Sequence, residues 1–272
     1  MTYIERFPGS KWRLTLFSRT LILTAESFAG KVMILPRLAL FACLQLTALG
    51  GWCGELVVLV DRAADMPMAR FDNGRLVDGV HKKLGEALAR ATGRDLRFLL
   101  LPRKRIARAL QEGQADILCG YTPEWIEGDY LWTVPVFSAE EVVATDARHP
   151  RPASIADLRG QPIGTILGYR HPEMEQVLGP GFVRDDSPNM ETNLEKLARG
   201  RVHHILIARA VLEYRQRLRA FPLNLHPPLT AASFTTRCAL SRNGGLGLEE
   251  ANRALAAVTR EGTLARILAE FR

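Results

Sequence analysis

Six side chains fall at the ends of apolar runs, where a fold of alternating strands and helices would gather them for binding. Asp61 follows Leu56–Val60, and Arg103 follows Pro102 at the start of an amphipathic segment. Tyr121 and Trp125 follow Asp116–Cys119, and Tyr169 and Arg170 follow Pro162–Ile166. A guanidinium pairs with carboxylates and phosphates, and backbone N–H groups at a helix start, here near Pro172, favour an anion. Tyrosine and tryptophan offer flat faces to a ring or an apolar body. Together these types point to a small ligand with one anionic group and a flat or apolar part. Five of the six also have an ordinary structural reading. Arg103 with Lys104 would solvate a helix face, Trp125 would cap a surface, Tyr169-Arg170 would be an exposed loop, and Asp61 would cap the loop after its strand. Acid–base chemistry needs two groups positioned together, and Asp61 with His171 is the available pair.

Cys119 and Cys238 both lie in apolar strand-like runs, DILCG and TTRCALS. A free thiol there packs as a small hydrophobe, and an exported chain could equally bridge the two. No Cys/His spacing matches a metal site, and His203-His204 has no partner motif. No cofactor or metal is expected.

Strand and helix signals that would position these residues alternate along the chain. Leu56–Val60 reads as a buried parallel strand. A helix opens at Asp78-Gly79 and stops at Gly93, with Val80, Leu84, Ala87, Leu88 and Ala91 on one face. Leu96–Leu101 is a strand, a helix from Pro102 ends at Gly113, and Asp116–Cys119 is the third strand. This β-α-β-α-β order marks a doubly wound sheet. Val142–Thr145 is a further strand. The polar, proline-rich segment 144–154 reads as a hinge. A second α/β run follows, with strands at Pro162–Ile166, Phe182–Arg184 and Val202–Ile207 and helices at Pro172–Val177, Met190–Ala198 and Ala210–Leu218. After an extended stretch around Pro227-Pro228 come a strand over Ser233–Ser241 and helices over Gly247–Val258 and Gly262–Phe271. The tail cannot bury its own apolar faces. The chain is therefore expected to leave a first lobe (55–146), build a second (147–228) and return (229–272), leaving a cleft lined by strand carboxyl ends.

The N-terminus reads as an address. Met33, Arg37, an apolar run from Leu38 to Leu49 and small residues to Gly54 follow the order of a secretory signal peptide. The run is too short to span about 30 Å of hydrocarbon as a helix, and Trp52 before Cys53 argues against a lipoprotein. Residues 1–32 read as an over-called extension. The 272-residue chain carries a net charge of +7, of which residues 1–54 hold +4 (six Lys/Arg, two Asp/Glu). The remaining +3 is no basic stripe, so nucleic-acid binding is not expected. With 47% hydrophobic and 24% charged residues, the composition excludes a disordered or multi-span membrane chain.

The residues GRLVDGV (74–80), LQEGQAD (110–116), IADLRG (155–160), LARGRV (197–202) and EGTLARILAEF (261–271), in this order and spacing, resemble the family 3 extracellular solute-binding proteins, the polar amino-acid-binding type of ABC importers. The resemblance covers residues 55–272. It implies a type II periplasmic-binding-protein fold, two α/β lobes joined by two hinge crossings, with a small-molecule ligand clamped between them and passed to an inner-membrane ABC permease. It also implies a periplasmic location, and the expected form is a monomer. Arg103 falls where relatives often have an apolar stacking residue. Trp125, in Thr122-Pro123-Glu124-Trp125, stands where relatives carry the arginine that grips an α-carboxylate. Ala208 stands where they carry the aspartate that pairs with the α-ammonium. Both zwitterion anchors are thus absent, and Arg170 is expected to be the cation that serves the ligand. The functional alternatives are a sensing protein that reports to a membrane receptor and a dehydratase-like enzyme on the same fold; a lytic transglycosylase would need a further catalytic domain.

Overall fold

The computed structural model describes residues 54–218 and 223–271. The extension reading (1–32) and the signal-peptide reading (33–54) lie outside the described residues, apart from Gly54. Strand β1 (Glu55–Asp61) is flanked in parallel by β4 (Asp95–Leu101) and β5 (Ile117–Tyr121). Antiparallel β12 (Arg237–Leu240) and β6 (Leu131–Trp132) complete a sheet of order β4-β1-β5-β12-β6. The run Leu56–Val60 is apolar throughout because both sheet faces are covered. Leu56, Val58 and Val60 pack towards α1 (Val80–Thr92), α6 (Leu248–Arg260) and α7 (Thr263–Glu270), while Val57 and Leu59 pack towards α2 (Arg103–Gln111). Helix α1 ends as expected, on Gly93 in the left-handed conformation. A short hairpin, β2 (Arg70–Asp72) with β3 (Arg75–Asp78), fills the GRLVDG stretch that carries no strand in the sequence reading.

The second sheet has the order β11-β7-β10-β8-β9. Here β8 (Pro162–Ile166) runs parallel to β9 (Val183–Ser187) and β10 (His204–Ala208), and β7 (Ser138–Thr145) runs antiparallel to β10 and β11 (Leu229–Thr235). Its faces are covered by α3 (Pro172–Leu178) on one side and by α4 (Met190–Ala198) with α5 (Arg209–Arg217) on the other. The architecture is the two-lobed α/β fold expected from the sequence. Among the described residues no helix is long and apolar enough to cross a membrane.

The crossings lie elsewhere than the sequence places them. The expected first crossing at 147 falls inside the second lobe, because β7 belongs entirely to the second sheet. The proline-rich stretch after β7 is a distal loop tied by the Asp146–Leu225 bridge. The expected strand over Ser233–Ser241 is two strands in different sheets, divided at Thr236. The chain crosses at Thr133–Phe137 and returns at Thr236. There the two passes bond to each other: Val136 N–H donates to Thr236 O (2.8 Å) and Thr236 N–H to Phe137 O (2.9 Å). Backbone pairing continues through the switch, so no turn residue marks it. A disulfide joins Cys119 on β5 to Cys238 on β12, settling the pairing the sequence leaves open. It ties the two ends of the segment that contains the whole second lobe.

Candidate functional site

Four of the six sequence-predicted side chains meet in one buried cluster between the lobes. Asp61 is the last residue of β1 and is 3% exposed. Its Oδ1 accepts the Ala63 N–H (2.9 Å), and its Oδ2 lies 3.5 Å from the Tyr121 hydroxyl and 3.7 Å from Arg103 Nη1. Arg103 is the first residue of α2, directly after Pro102, which starts the helix in an extended conformation. Its side chain is 9% exposed. The guanidinium carbon sits 4.5 Å from the Tyr121 ring centre and 4.7 Å from that of Tyr169, and Nη2 donates to the Trp125 carbonyl at 3.2 Å. Asp61, Arg103 and Tyr121 belong to the first lobe. Tyr169 comes from the loop after β8 in the second.

Gly168 makes that approach possible. It has a φ of 85°, and a Cβ there would lie 3.3 Å from the Cγ atoms of Arg103 and Lys104. A side chain would thus be both strained and in the way.

Burial dominates the electrostatics. It raises the Asp61 carboxyl above its ordinary range, against the opposing pull of the Ala63 N–H, the Arg103 charge and the two tyrosine hydroxyls. Burial also pushes the Tyr121 and Tyr169 phenols well up, so both remain neutral donors at physiological pH.

Trp125 closes a three-residue 3-10 turn after β5 and joins the site on two sides. Its ring meets Tyr121 edge-on at 6.1 Å and Phe234 of the second lobe at 4.8 Å. Phe234 was missed by sequence reading because the strand carrying it was assigned to the returning tail. Thr122, which precedes that turn, has a buried hydroxyl that makes no hydrogen bond among the described residues.

Arg170 is not in the cluster. It is half exposed and pairs with Glu127 of the other lobe at 3.0 Å, at the mouth of the cleft. The structure thus places Arg170 outside the interior cluster, where the buried guanidinium is that of Arg103. The helix start beside it opens only the seven residues of α3. The Asp61–His171 pair is likewise not assembled. His171 Nδ1 engages Glu141 at 3.0 Å, and no hydrogen bond or ion pair joins it to Asp61. Ala208 is exposed at the end of β10, where it offers no charge. Neighbouring Arg209 is taken up by Glu140 (2.5 Å) and Thr230 (3.0 Å). Further contacts hold the lobes together. Arg215 of α5 pairs with Asp65 of the first lobe and, at 2.7 Å, with Glu191. Arg217 donates to the Phe271 carbonyl at 2.6 Å. Among the described residues no group of three or more His, Cys, Asp or Glu side chains is placed to hold a metal.

No model of a known protein family matches the chain, and no curated protein matches it. Solved structures do. An ancestral arginine-binding protein bound to arginine superposes with a TM-score of 0.68 at 22% identity, over 80% of this chain and 98% of that one. The arginine-, lysine-, histidine-binding protein ArtJ from the thermophilic bacterium Geobacillus stearothermophilus gives 0.65 at 22% identity, over 80% and 94%. The ancestral amino acid-binding protein AncCDT-1, a precursor of cyclohexadienyl dehydratase, gives 0.65 at 19% identity, over 86% and 99%. The chain therefore shares the two-lobe fold of amino-acid-binding proteins.

Proposed function

We propose that this chain is a periplasmic solute-binding protein. It captures a small polar ligand, anionic or aromatic, between its lobes and delivers it as a monomer to an ABC-type permease, with no chemistry of its own. The observation that carries this reading is the Asp61–Arg103–Tyr121–Tyr169 cluster, whose members come from both lobes and meet between them. A ligand that contacts both lobes only in the closed state shifts the population towards it. The arginine-binding neighbours favour a place in amino-acid import. Against a common α-amino acid stand Trp125 and Ala208, which can hold neither a carboxylate nor an ammonium. The aromatic wall of Trp125 and Phe234 offers a flat ligand a stacking face instead.

The test is a thermal-shift screen of the exported chain against amino acids, organic acids, polyamines and phosphonates. A ligand at about 100 times its Kd adds about 2.7 kcal/mol, a shift of several degrees. Stabilisation by organic acids or phosphonates supports the reading, and a response confined to free α-amino acids or polyamines refutes it. The dehydratase-precursor neighbour favours a second reading, an enzyme on this fold. Its acid–base pair would have to be something other than Asp61 and His171, since His171 is engaged by Glu141.

A further inference from the structure

We propose that Asp61, Tyr121 and Tyr169 form a guanidinium-binding box that this chain fills with its own Arg103. The inference deepens the solute-binding reading and rests on it for the cleft being a ligand site.

The box has the elements that recognise a planar cation. Two aromatic faces lie 4.5 and 4.7 Å from the same guanidinium carbon, one on each lobe. A ring face attracts a cation through its quadrupole, more strongly where water is excluded. A buried carboxylate lies 3.7 Å from one guanidinium nitrogen, and a carbonyl accepts from another at 3.2 Å. The flat, weakly hydrated guanidinium suits such a slot better than a compact ammonium. The occupant is tethered: Arg103 is the first residue of a helix and reaches the box without loss of translational freedom. It therefore makes from within the chain the contacts to both lobes that a free cation would otherwise make. Asp61 finds its counter-charge internally, and the box is closed to any soluble guanidinium compound. A solute of the wild-type protein must therefore bind elsewhere than in this box.

The experiment vacates the box. Arg103→Ala is titrated calorimetrically with methylguanidinium and with free arginine, alongside the wild-type protein. The expected result is binding of methylguanidinium by Arg103→Ala and none by wild type. Adding Asp61→Asn to Arg103→Ala should weaken that binding by about tenfold or more. An Arg103→Ala protein with wild-type circular dichroism that binds neither compound overturns the proposal, as does wild-type protein that binds methylguanidinium equally well.

Because Arg103→Ala also strands a buried carboxylate, a second measurement uses the intact chain. In nitrogen-15 spectra of the wild type, the Arg103 Nε–H signal, assigned by its loss in Arg103→Lys, should be displaced by ring currents and exchange slowly with water. A signal at the position and exchange rate of exposed arginines overturns the proposal. The solute screen is run on wild type and these tests read Arg103 itself, so failure of either reading is seen separately.

Discussion

Arg103→Ala should destabilise the protein in a pH-dependent way. In the wild type, Asp61 is 3% exposed and has one cation, 3.7 Å away. Deleting that cation leaves a buried carboxylate without compensation, a change that costs about 3–5 kcal/mol. Neutralising the carboxylate as well, in Asp61→Asn/Arg103→Ala, should return about 1–3 kcal/mol, the desolvation penalty of the stranded group. The sign with pH follows from Asp61. Burial already holds its folded-state pKa above the ordinary value, and Arg103 opposes that rise. Without Arg103 the carboxyl moves further up. A raised folded-state pKa contributes stability that is complete below the unfolded value, about 3.9, and is lost as pH rises through the folded value. The penalty of Arg103→Ala relative to wild type should therefore be largest at about pH 7.5 and shrink towards about pH 4. Urea unfolding of both proteins at the two pH values, followed by far-ultraviolet circular dichroism, measures it. An equal penalty at both, or one below about 1 kcal/mol at the higher pH, would refute the view of Asp61 and Arg103 as a buried, mutually dependent pair.

The Cys119–Cys238 bridge closes a 119-residue separation containing the second lobe. Replacing both cysteines with serine should lower stability by about 2–4 kcal/mol and leave the urea midpoint insensitive to reductant. Arg170→Ala should change stability by less than about 0.5 kcal/mol in the same assay, because Arg170 and Glu127 meet in solvent. His204, whose ring bonds Thr145 and Gln161, is pushed by burial from 6.5 to about 4. Its contribution is present above the unfolded value and lost as pH falls between those limits, so His204→Gln should flatten the acid limb of a stability–pH profile.

The alternation of fully apolar strands with amphipathic helices was enough to determine the two doubly wound lobes. Leu56–Val60 can be apolar throughout only if both sides of its strand are covered, and Gly93 and Gly113 stop their helices by local backbone preference. Strand ends likewise located Asp61, Arg103, Tyr121, Trp125 and Tyr169 around one cleft. What required the tertiary structure was pairing. Ser138–Thr145 is an acceptable strand for either lobe, and its hydrogen-bond partners alone assign it to the second. The run through Thr236 changes sheets without a turn because its backbone stays extended and bonded, so composition carries no trace of the hinge. The choice between Arg103 and Arg170 was likewise invisible in sequence. Both lie just after a strand and close to a helix start, and both are arginines. Only the docking of the Gly168–Tyr169 loop over α2 buries one guanidinium between two rings while leaving the other to solvent.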